Sequence, residues 1–320
     1  MELKVFESIA THSEANRLKA KKKQGIFLAL GIPFLVAGIV AGVLIAVFDL
    51  MESSPNLALA LIVVALLLIV AGIVILFLAA NNKKKYQKSV LSSVQEAVEN
   101  ALYTDIKRNS KGCLPLEQIL RPGFYAKPDR YIGSNYVSAT YNGISFEYAD
   151  FDLQRREEHR DSKGNVTVSY VSYASGRMFR FFFERNFEKD LMIVEKTFLS
   201  TPKDKGLEKI ETEFLEFNKK FAVYSSDDQF VFYILTPQVQ EKILELEKMN
   251  GGKGQFYYRL MNNQIYVSLC NGVSFPKPSL WKPLDVEIIK TLAEQFAMPA
   301  SMIDRLELAK NKYKENAGVK

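Results

Sequence analysis

The sequence is poor in the residues that most often bind metals, with only two histidines and two cysteines among 320 residues. Cys113 and Cys270 lie far apart and form no CxxC pair, a pattern typical of free thiols in a reducing compartment. A structural zinc site needs several such ligands in one place. Since His12 and His159 are the only other candidates, the composition argues against a zinc centre.

Catalytic sequence motifs are absent as well. The chain contains no GxSxG, no HExxH and no GxxxxGK[ST]. The glycine-rich segment 251–254 follows a predicted helix and precedes a predicted strand, which is the reverse of the order around a phosphate-binding loop. We interpret it as a helix stop and a turn, and no motif indicates a cofactor.

Charged residues are missing from two long segments. Residues 26–48 hold only apolar residues, glycine and Pro33, and residues 57–80 hold only apolar residues and Gly72. Each run exceeds the roughly 20 residues that a helix needs to cross a bilayer, and both are longer than the apolar part of a signal peptide, about 7–15 residues. The sequence predicts a transmembrane helical hairpin with a short external loop at 49–56. The lack of ionisable residues argues against an ion pathway, a proton relay or a voltage sensor.

Lysines stand on both sides of this hairpin and are absent from its loop, which contains Asp49 and Glu52. Short cytoplasmic loops carry the excess of Lys and Arg in membrane proteins. The asymmetry predicts a multi-pass protein of the inner (cytoplasmic) membrane with both termini in the cytoplasm. Residues 1–25 would form a cytoplasmic N-terminal segment, either an amphipathic helix or a continuation of the first span, and residues 81–320 a cytoplasmic domain.

The same lysines account for much of the formal net charge of +6. Basic residues next to a membrane span attract the anionic headgroups of the bilayer, and no nucleic-acid recognition motif accompanies the charge. We therefore expect lipid rather than nucleic acid as the partner. The candidate headgroup contacts are Lys21, Lys22, Lys23, Lys83, Lys84 and Lys85.

Small residues form stripes on both predicted spans. Gly38, Gly42 and Ala46 recur every four residues, a pattern that lets helix backbones approach closely. The second span has a matching set at heptad spacing: Ala58, Ala65, Gly72 and Ala79. The other arm of the hairpin is the expected packing partner, and self-association of the protein is the alternative.

The remainder of the chain predicts an α+β domain, an antiparallel sheet with segregated helices. A helix is expected over 90–106, and Asn142-Gly143 predicts a tight hairpin. Ser175-Gly176 and Asn262-Asn263 are expected to separate further strands, and a final helix is expected over 285–296, followed by a solvated tail.

Three polar features of the predicted domain are candidate sites. Asp150 and Asp152 alternate onto one strand face, as carboxylates for a metal or for acid–base work would, although charged strand ends of this kind are commonly just exposed. Asn218 is interpreted as a turn residue before a strand. Thr236, followed by Pro237, is interpreted as a helix cap rather than a nucleophile.

Over most of its length the chain resembles a bacterial membrane-anchored family catalogued as domain of unknown function 3137, and residues 216–246 are the stretch that carries the resemblance. The residues that carry the resemblance are Phe217, Asn218, Lys219, Phe221, Val223, Asp227, Leu235, Thr236 and Pro237. The resemblance implies the same architecture as the residue patterns, a polar N-terminus, an apolar hairpin and a cytoplasmic α+β domain. It supplies no catalytic residues.

These observations favour a non-enzymatic, membrane-anchored cytoplasmic binding or scaffold module of unknown ligand. Its sheet domain would bind a partner protein, a lipid headgroup or a small ligand at the inner surface of the membrane, and self-association is the alternative to a separate protein partner. Two alternatives stay open: a membrane-tethered enzyme of unrecognised type, and an accessory subunit of a membrane transport complex. A deep pocket with clustered ionisable side chains would favour the enzyme. An exposed apolar patch or an open sheet edge would favour the binding module.

Overall fold

The computed structural model describes residues 3–48, 54–160, 162, 164–196, 206–249, 254–272, 278–284 and 286–314. The chain divides into two compact units. The hairpin unit comprises Met1–Val98 and Pro276–Phe296, and the sheet unit comprises Glu99–Phe275 and Ala297–Lys320. Two long apolar helices and an antiparallel sheet with short helices confirm the predicted α+β class.

Two long helices dominate the hairpin unit: α1 (Leu3–Val47) and α2 (Pro55–Leu102). Both continue well beyond their apolar runs, and α1 extends the first span back to Leu3 without a break, even through Pro33. By length and composition, α1 from Ser13 and the whole of α2 are each able to cross a membrane. The predicted boundary at residue 80 marks the end of the apolar sequence, whereas the division between the units falls between Val98 and Glu99.

The two arms of the hairpin meet along a seam of small residues. A Cβ atom on Gly38 would lie 2.6 Å from Cγ1 of Ile69 and 2.8 Å from the carbonyl oxygen of Ala65, so only glycine allows this approach. On Gly72 it would lie 2.9 Å from the backbone nitrogen of Leu35. The buried seam residues are spaced by seven, which keeps them on one side of each helix: Gly31, Gly38 and Ile45 on α1, and Ala58, Ala65, Gly72 and Ala79 on α2.

Only part of the predicted small-residue stripe lies in this seam. Gly42 and Ala46 are exposed, and a Cβ atom on Gly42 would have no neighbour within 4 Å. The heptad step, and not the step of four, selects the face of α1 that packs on α2. Helix packing through Gly42 and Ala46 therefore stays a prediction. Because these residues do not face α2, the partner helix would have to come from another copy of the protein.

The sheet unit is built on an antiparallel sheet in the order β1-β2-β3-β4-β6-β5, with β7 also paired to β4. The strands are β1 (Thr104–Asn109), β2 (Arg130–Tyr141), β3 (Ile144–Arg160), β4 (Val166–Glu195), β5 (Glu208–Ile210), β6 (Phe221–Ser225) and β7 (Gln255–Cys270). The short helices are α3 (Leu116–Leu120), α4 (Leu215–Lys220), α5 (Asp228–Ile234), α6 (Pro237–Met249) and α8 (Met298–Arg305). A 3₁₀ turn spans Asn311–Tyr313, and α7 (Val286–Phe296) belongs to the hairpin unit.

The predicted hairpin at Asn142-Gly143 is confirmed, since both residues have positive φ and connect β2 to β3. The predicted turn at Ser175-Gly176 is wrong, because β4 runs through it as one strand. A Cβ atom on Gly176 would lie 1.9 Å from the carbonyl oxygen of Leu269. The glycine is thus required by the close approach of β7 and not by a reversal of the chain.

The predicted hairpin at Asn262-Asn263 is also wrong. β7 is continuous, and Asn262 takes a positive φ of 54° within it. Its pairing with β4 shifts register between Phe182 and Leu191, so the asparagine accommodates an irregularity in the ladder. Asparagine tolerates this conformation better than most residues, in a strand as in a turn.

Two further expectations need correction. The helix predicted over 90–106 ends at Leu102, and β1 begins at Thr104 because its backbone pairs with β2. The C-terminal tail is not solvated throughout, since Tyr313 is fully buried in the core of the sheet unit. The helix predicted over 285–296 is confirmed as α7.

Aromatic side chains fill the core of the sheet unit. Phe179, Phe181 and Phe183 of β4 lie in the larger of two buried clusters, as their alternation predicts. Met178 lies in the smaller cluster on the opposite face, with Phe151. Phe182 is half-buried beneath the Arg180 guanidinium, 5.0 Å from the ring centroid.

Candidate functional site at the basic end of the hairpin

The buried carboxylate of Glu99 in the sheet unit is held by neighbouring side chains. Glu99 is fully buried and accepts hydrogen bonds from the Tyr148 hydroxyl, at 2.8 Å, and from the Arg108 guanidinium. Burial raises the pKa of Tyr148 well above its usual range, so this hydroxyl keeps its proton and donates. These hydrogen bonds fix the three side chains in place.

The two aspartates of the candidate site, Asp150 and Asp152, likewise accept hydrogen bonds from neighbouring side chains. Asp150 accepts from Arg177 at 2.6 Å and from Asn135 at 2.6 Å, while Asp152 accepts from Gln154 at 2.6 Å. In the part of the chain that the structure describes, no three His, Cys, Asp or Glu side chains come together as a metal site would require. The aspartates therefore belong to the packing of the sheet.

Three of the residues that carry the family resemblance make hydrogen bonds to groups near them in sequence. The Asn218 side chain lies in α4 just before β6 and accepts from the backbone nitrogen of Thr212 at 3.1 Å and from its hydroxyl at 2.9 Å. Thr236 accepts from the backbone nitrogen of Val239 at 3.4 Å, which confirms it as the cap of α6. Asp227 caps α5 in the same way, by accepting from the backbone of Phe230. The segment 251–253 lies outside the described residues.

An open groove lies at the basic end of the hairpin unit, between α1 and α2. Its volume is about 290 Å³. The residues that define this basic groove are Asn16, Lys19 and Lys23 from α1, and Asn82, Lys85 and Tyr86 from α2. Both helices continue past their apolar runs, which is what brings these polar residues face to face.

Hydrogen bonds across the groove hold its two walls together. The Asn82 amide donates to the carbonyl oxygen of Ala20 at 2.9 Å and to the side-chain oxygen of Gln24 at 3.2 Å. Gln24 is buried and continues the heptad seam of α1 towards the N-terminus. The groove is therefore the polar extension of the seam that closes the apolar part of the hairpin.

A segment from near the C-terminus completes this end of the hairpin unit. We call residues 278–284 the base segment. Arg17, which is buried, donates to the carbonyl oxygen of Leu280 at 2.9 Å and pairs with Glu14. Glu14 in turn accepts from the backbone nitrogen of Leu284 at 3.0 Å. The base segment and α1 are thus joined by hydrogen bonds between residues about 270 positions apart in sequence.

The groove is strongly cationic. Among the described residues, no carboxylate lies within 4.0 Å of the ammonium groups of Lys19, Lys23 or Lys85. The Lys23 ammonium lies 5.6 Å from the centroid of the Phe27 ring. Tyr86 is only 4% exposed, and its buried hydroxyl has no hydrogen-bond partner in the described part of the protein.

Two of the predicted headgroup contacts lie in this groove. Lys23 and Lys85 were among the predicted headgroup contacts and line it, whereas Lys21, Lys22, Lys83 and Lys84 do not. Contact of any of these six lysines with lipid stays a prediction. Tyr86 and the two asparagines were missed. The signal for Tyr86 was present, because it continues the heptad of Ala58, Ala65, Gly72 and Ala79 by one further step.

No curated protein matches the sequence. Among solved structures, the crystal structure of the mycobacterial trehalose monomycolate transport factor A, TtfA, aligns with 65% of this chain and 95% of its own, at 9% identity and a TM-score of 0.36. A similarity this low carries no argument about fold or function. The family described as "Protein of unknown function (DUF3137)" matches residues 175–308, which include the segment that carried the resemblance. The resemblance to this family of uncharacterised proteins is therefore shown over residues 175–308.

Proposed function

We propose that the protein is a membrane-anchored binding module of the inner membrane. The hairpin unit crosses the bilayer twice, both termini and the sheet unit lie in the cytoplasm, and the basic end of the hairpin lies against the anionic headgroups.

The observation that carries this proposal is the placement of apolar and basic residues on the two helices. The apolar stretches expose large side chains along most of their length. The most exposed are Phe77, Val47, Phe48, Leu59 and Leu67. In water such a surface would be unfavourable in proportion to its area, whereas lipid covers it without cost.

The lysines support the orientation. Residues 21–23 precede the apolar run of α1 and residues 83–85 follow that of α2, so both sets lie at the same end of the hairpin. Each basic residue near an anionic leaflet contributes about 1 kcal/mol of attraction. Six of them together favour the cytoplasmic leaflet.

A two-stranded ribbon supports the binding role of the sheet unit. Residues 155–160 of β3 pair only with residues 166–171 of β4, beyond the ends of the other described strands. Val166, Val168, Tyr170 and Val171 on this ribbon are exposed. Apolar side chains on a projecting ribbon, set among arginines and glutamates, are suited to contact with a protein partner.

Thiol labelling in intact cells tests the orientation. Ser54, directly before α2, is exposed, and Cys113 in the sheet unit is an exposed native thiol. An impermeant maleimide added to intact cells should label Ser54→Cys and should leave the wild-type protein unlabelled. After permeabilisation, wild-type Cys113 should react, which serves as the internal control. Labelling of wild-type Cys113 in intact cells would overturn the orientation.

A crosslinking experiment tests the ribbon. A photoreactive amino acid at Tyr170 should give a discrete crosslinked band in native membranes, and the same amino acid at Phe232, exposed on α5, is the matched control. If the two positions give the same products, the ribbon is not the partner surface.

A further inference from the structure

The ribbon formed by residues 155–160 of β3 and 166–171 of β4 has two edges, and no further strand pairs with either of them in the part of the chain that the structure describes. Pairing of β3 with β2 ends at Gln154, and the backbone bonds between β7 and β4 reach no further than Ser175. An unpaired edge presents a row of backbone N–H and C=O groups to which another strand can bond. The two edges of the ribbon differ in how far they are protected against this.

The β3 edge is protected. The backbone nitrogen of Arg156 donates to the carboxylate of Asp129 at 2.8 Å, so this outward donor already has a partner. Every residue of 155–160 is an arginine, a glutamate or a histidine, and the exposed side chains of Arg156 and Glu158 form an ion pair at 2.6 Å. Charged side chains on an edge strand are a common protection against pairing with another chain.

The β4 edge, by contrast, carries no charge. Residues 166–171 read Val-Thr-Val-Ser-Tyr-Val, without proline or glycine, and all but the serine are β-branched or aromatic. Val166, Val168 and Tyr170 are between 42% and 49% exposed. The guanidinium of Arg130 lies 5.3 Å from the centroid of the Tyr170 ring and helps to hold it on one face of the ribbon. An exposed, uncharged edge strand of this length is a template for β pairing.

The register of the ribbon identifies the backbone groups that face the β4 edge. In an antiparallel pair, successive residues alternate between bonding to the partner strand and facing away from it. Because the backbone of Arg156 bonds to Asp129 on the side of β2, residues 155, 157 and 159 face β4, and their partners 171, 169 and 167 face β3. The backbone groups of Val166, Val168 and Tyr170 therefore point outward.

We propose that the β4 edges of two copies of the protein pair in antiparallel register about Val168, so that two ribbons form one sheet. This register places Val166 opposite the partner's Tyr170, and Thr167 opposite the partner's Ser169. Pairs of an aromatic with a β-branched residue, and of threonine with serine, stabilise antiparallel strands, and no like charges stand opposite one another. The inference rests on the proposed role of the ribbon as a partner surface and names the partner.

The self-complementarity of the strand selects a second copy over an unrelated protein. A two-fold axis at Val168 makes the same contacts in both directions, so one sequence supplies both halves of the interface. The outward-facing residues would form three hydrogen-bonded pairs, or about six backbone hydrogen bonds. An interface this small is weak between freely diffusing molecules. Anchoring of both copies in one membrane, as proposed above, raises their effective concentration for each other.

Disulfide formation in native membranes tests the register. In a background that carries Cys113→Ser, Val168→Cys should give a disulfide-linked dimer on mild oxidation, because Cα atoms of a hydrogen-bonded antiparallel pair lie about 5.5 Å apart, within the range that a disulfide spans. Glu158→Cys is the matched control, since Glu158 lies directly opposite Val168 on the protected edge. We expect roughly tenfold more dimer from Val168→Cys. Equal yields from the two positions would overturn pairing about Val168.

Blocking the β4 edge provides a second test. Val168→Pro removes a backbone donor that points outward, so the ladder between β3 and β4 keeps its hydrogen bonds. Val168→Thr is the matched control, because it keeps both the donor and the branched side chain. Val168→Lys is a further variant that leaves the backbone unchanged and places two ammonium groups opposite each other in the dimer. Crosslinking from a photoreactive amino acid at Tyr170 should lose the dimer band in Val168→Pro and Val168→Lys and keep it in Val168→Thr. A dimer band that persists in Val168→Lys would overturn the proposal.

Co-expression of two differently tagged copies separates this inference from the proposed function. A crosslinked band from Tyr170 that carries both tags supports self-pairing. A band that carries one tag and the mass of another protein would overturn self-pairing and leave the ribbon as a partner surface. Absence of any band would overturn both roles of the ribbon, whereas the membrane orientation is tested independently by thiol labelling.

Discussion

In the hairpin unit the small residues are buried and the large apolar residues are exposed, whereas in the sheet unit the large aromatic residues are buried. Ala58 is 0% exposed while Phe77 on the same helix is 70% exposed. In the sheet unit Phe181 is 0% exposed. Both patterns come from one chain, so composition alone does not decide which residues are buried.

The membrane placement proposed for the hairpin unit accounts for this difference, since it puts one unit in lipid and the other in water. Lipid is as apolar as a leucine side chain, so nothing drives large residues between membrane helices, and close contact of small residues holds the helices together. Water excludes large apolar groups, so in the sheet unit aromatic rings pack against one another. The predictions below test which residues stabilise each unit, from the largest expected effect to the smallest.

Truncation of a buried ring in the sheet unit should have the largest effect. Phe181→Ala should lower the free energy of unfolding by about 3–5 kcal/mol, because it removes buried apolar surface and leaves a cavity. Denaturant titration of the full chain in detergent, followed by near-UV circular dichroism, measures this. Phe77→Ala is the control and should leave the same transition unchanged, since Phe77 faces the surroundings of the hairpin. An equal loss in both variants would contradict the comparison.

Removal of the Arg17 side chain tests how the base segment is attached to α1 at the polar end of the hairpin unit. Arg17→Gln deletes the hydrogen bond to the Leu280 carbonyl and the ion pair with Glu14. Hydrogen bonds to charged groups contribute about 1.5–3 kcal/mol, so the base segment should loosen.

Trp281 reports on this change because it is the only tryptophan of the chain and lies in the base segment. Its fluorescence anisotropy in nanodiscs should fall in Arg17→Gln and should be unchanged in Lys22→Gln, an exposed lysine of the same helix. Unchanged anisotropy in Arg17→Gln would show that other contacts hold the base segment in place.

Enlargement of the glycines in the hairpin should separate seam residues from exposed ones. Gly38→Leu should weaken the packing of the two arms by about 1–3 kcal/mol, since its side chain would overlap Ile69 and the Ala65 carbonyl. Gly42→Leu has open space around it and should have little effect. Steric trapping of the arms in micelles measures both. A comparable loss in Gly42→Leu would show that Gly42 packs on another helix, such as that of a second copy.

Much of the hairpin unit could be predicted because its signals are local. Uninterrupted apolar runs, flanking lysines and a heptad of small residues each lie within one segment of sequence. The groove could be predicted only in part, because its walls come from two helices. The base segment could not be predicted at all, because Leu280 and Leu284 contact α1 through backbone groups, which leave no pattern in the side chains.

The sheet unit shows why turn signals fail in strands. Ser175-Gly176 and Asn262-Asn263 have the residue types of turns, yet both lie inside continuous strands. A glycine can serve a close approach of neighbouring backbones as well as a reversal, and an asparagine with positive φ can accommodate a register shift. Which role applies depends on a strand far away in sequence. Asn142-Gly143 differs because its two partner strands adjoin it directly.

The smallest effect concerns a carboxylate that the sheet unit only half buries. Partial burial raises the pKa of Glu195, and the nearby carboxylate of Glu247 raises it further, while a hydrogen bond from the backbone nitrogen of Phe256 and the charge of Lys220 lower it. The net direction is upward. The folded state therefore holds this proton more tightly than the unfolded state does, so the contribution of Glu195 to stability is greatest at low pH and declines as pH rises through the folded pKa.

Glu195→Gln should consequently stabilise the sheet unit slightly at pH 7 and change little at pH 4, because glutamine keeps an oxygen for the Phe256 amide and carries no charge. Denaturant titrations of both proteins at a series of pH values give the difference. Glu211→Gln is the control of opposite sign. A hydrogen bond from Lys209 and the charge of that lysine lower the pKa of the exposed Glu211. Removal of this carboxylate should therefore lower the free energy of unfolding by no more than a small amount, and only near neutral pH. If Glu195→Gln destabilises the protein at pH 7, the ionised carboxylate is stabilising where it stands, and the half-buried edge of the sheet unit tolerates charge as readily as its exposed surface does.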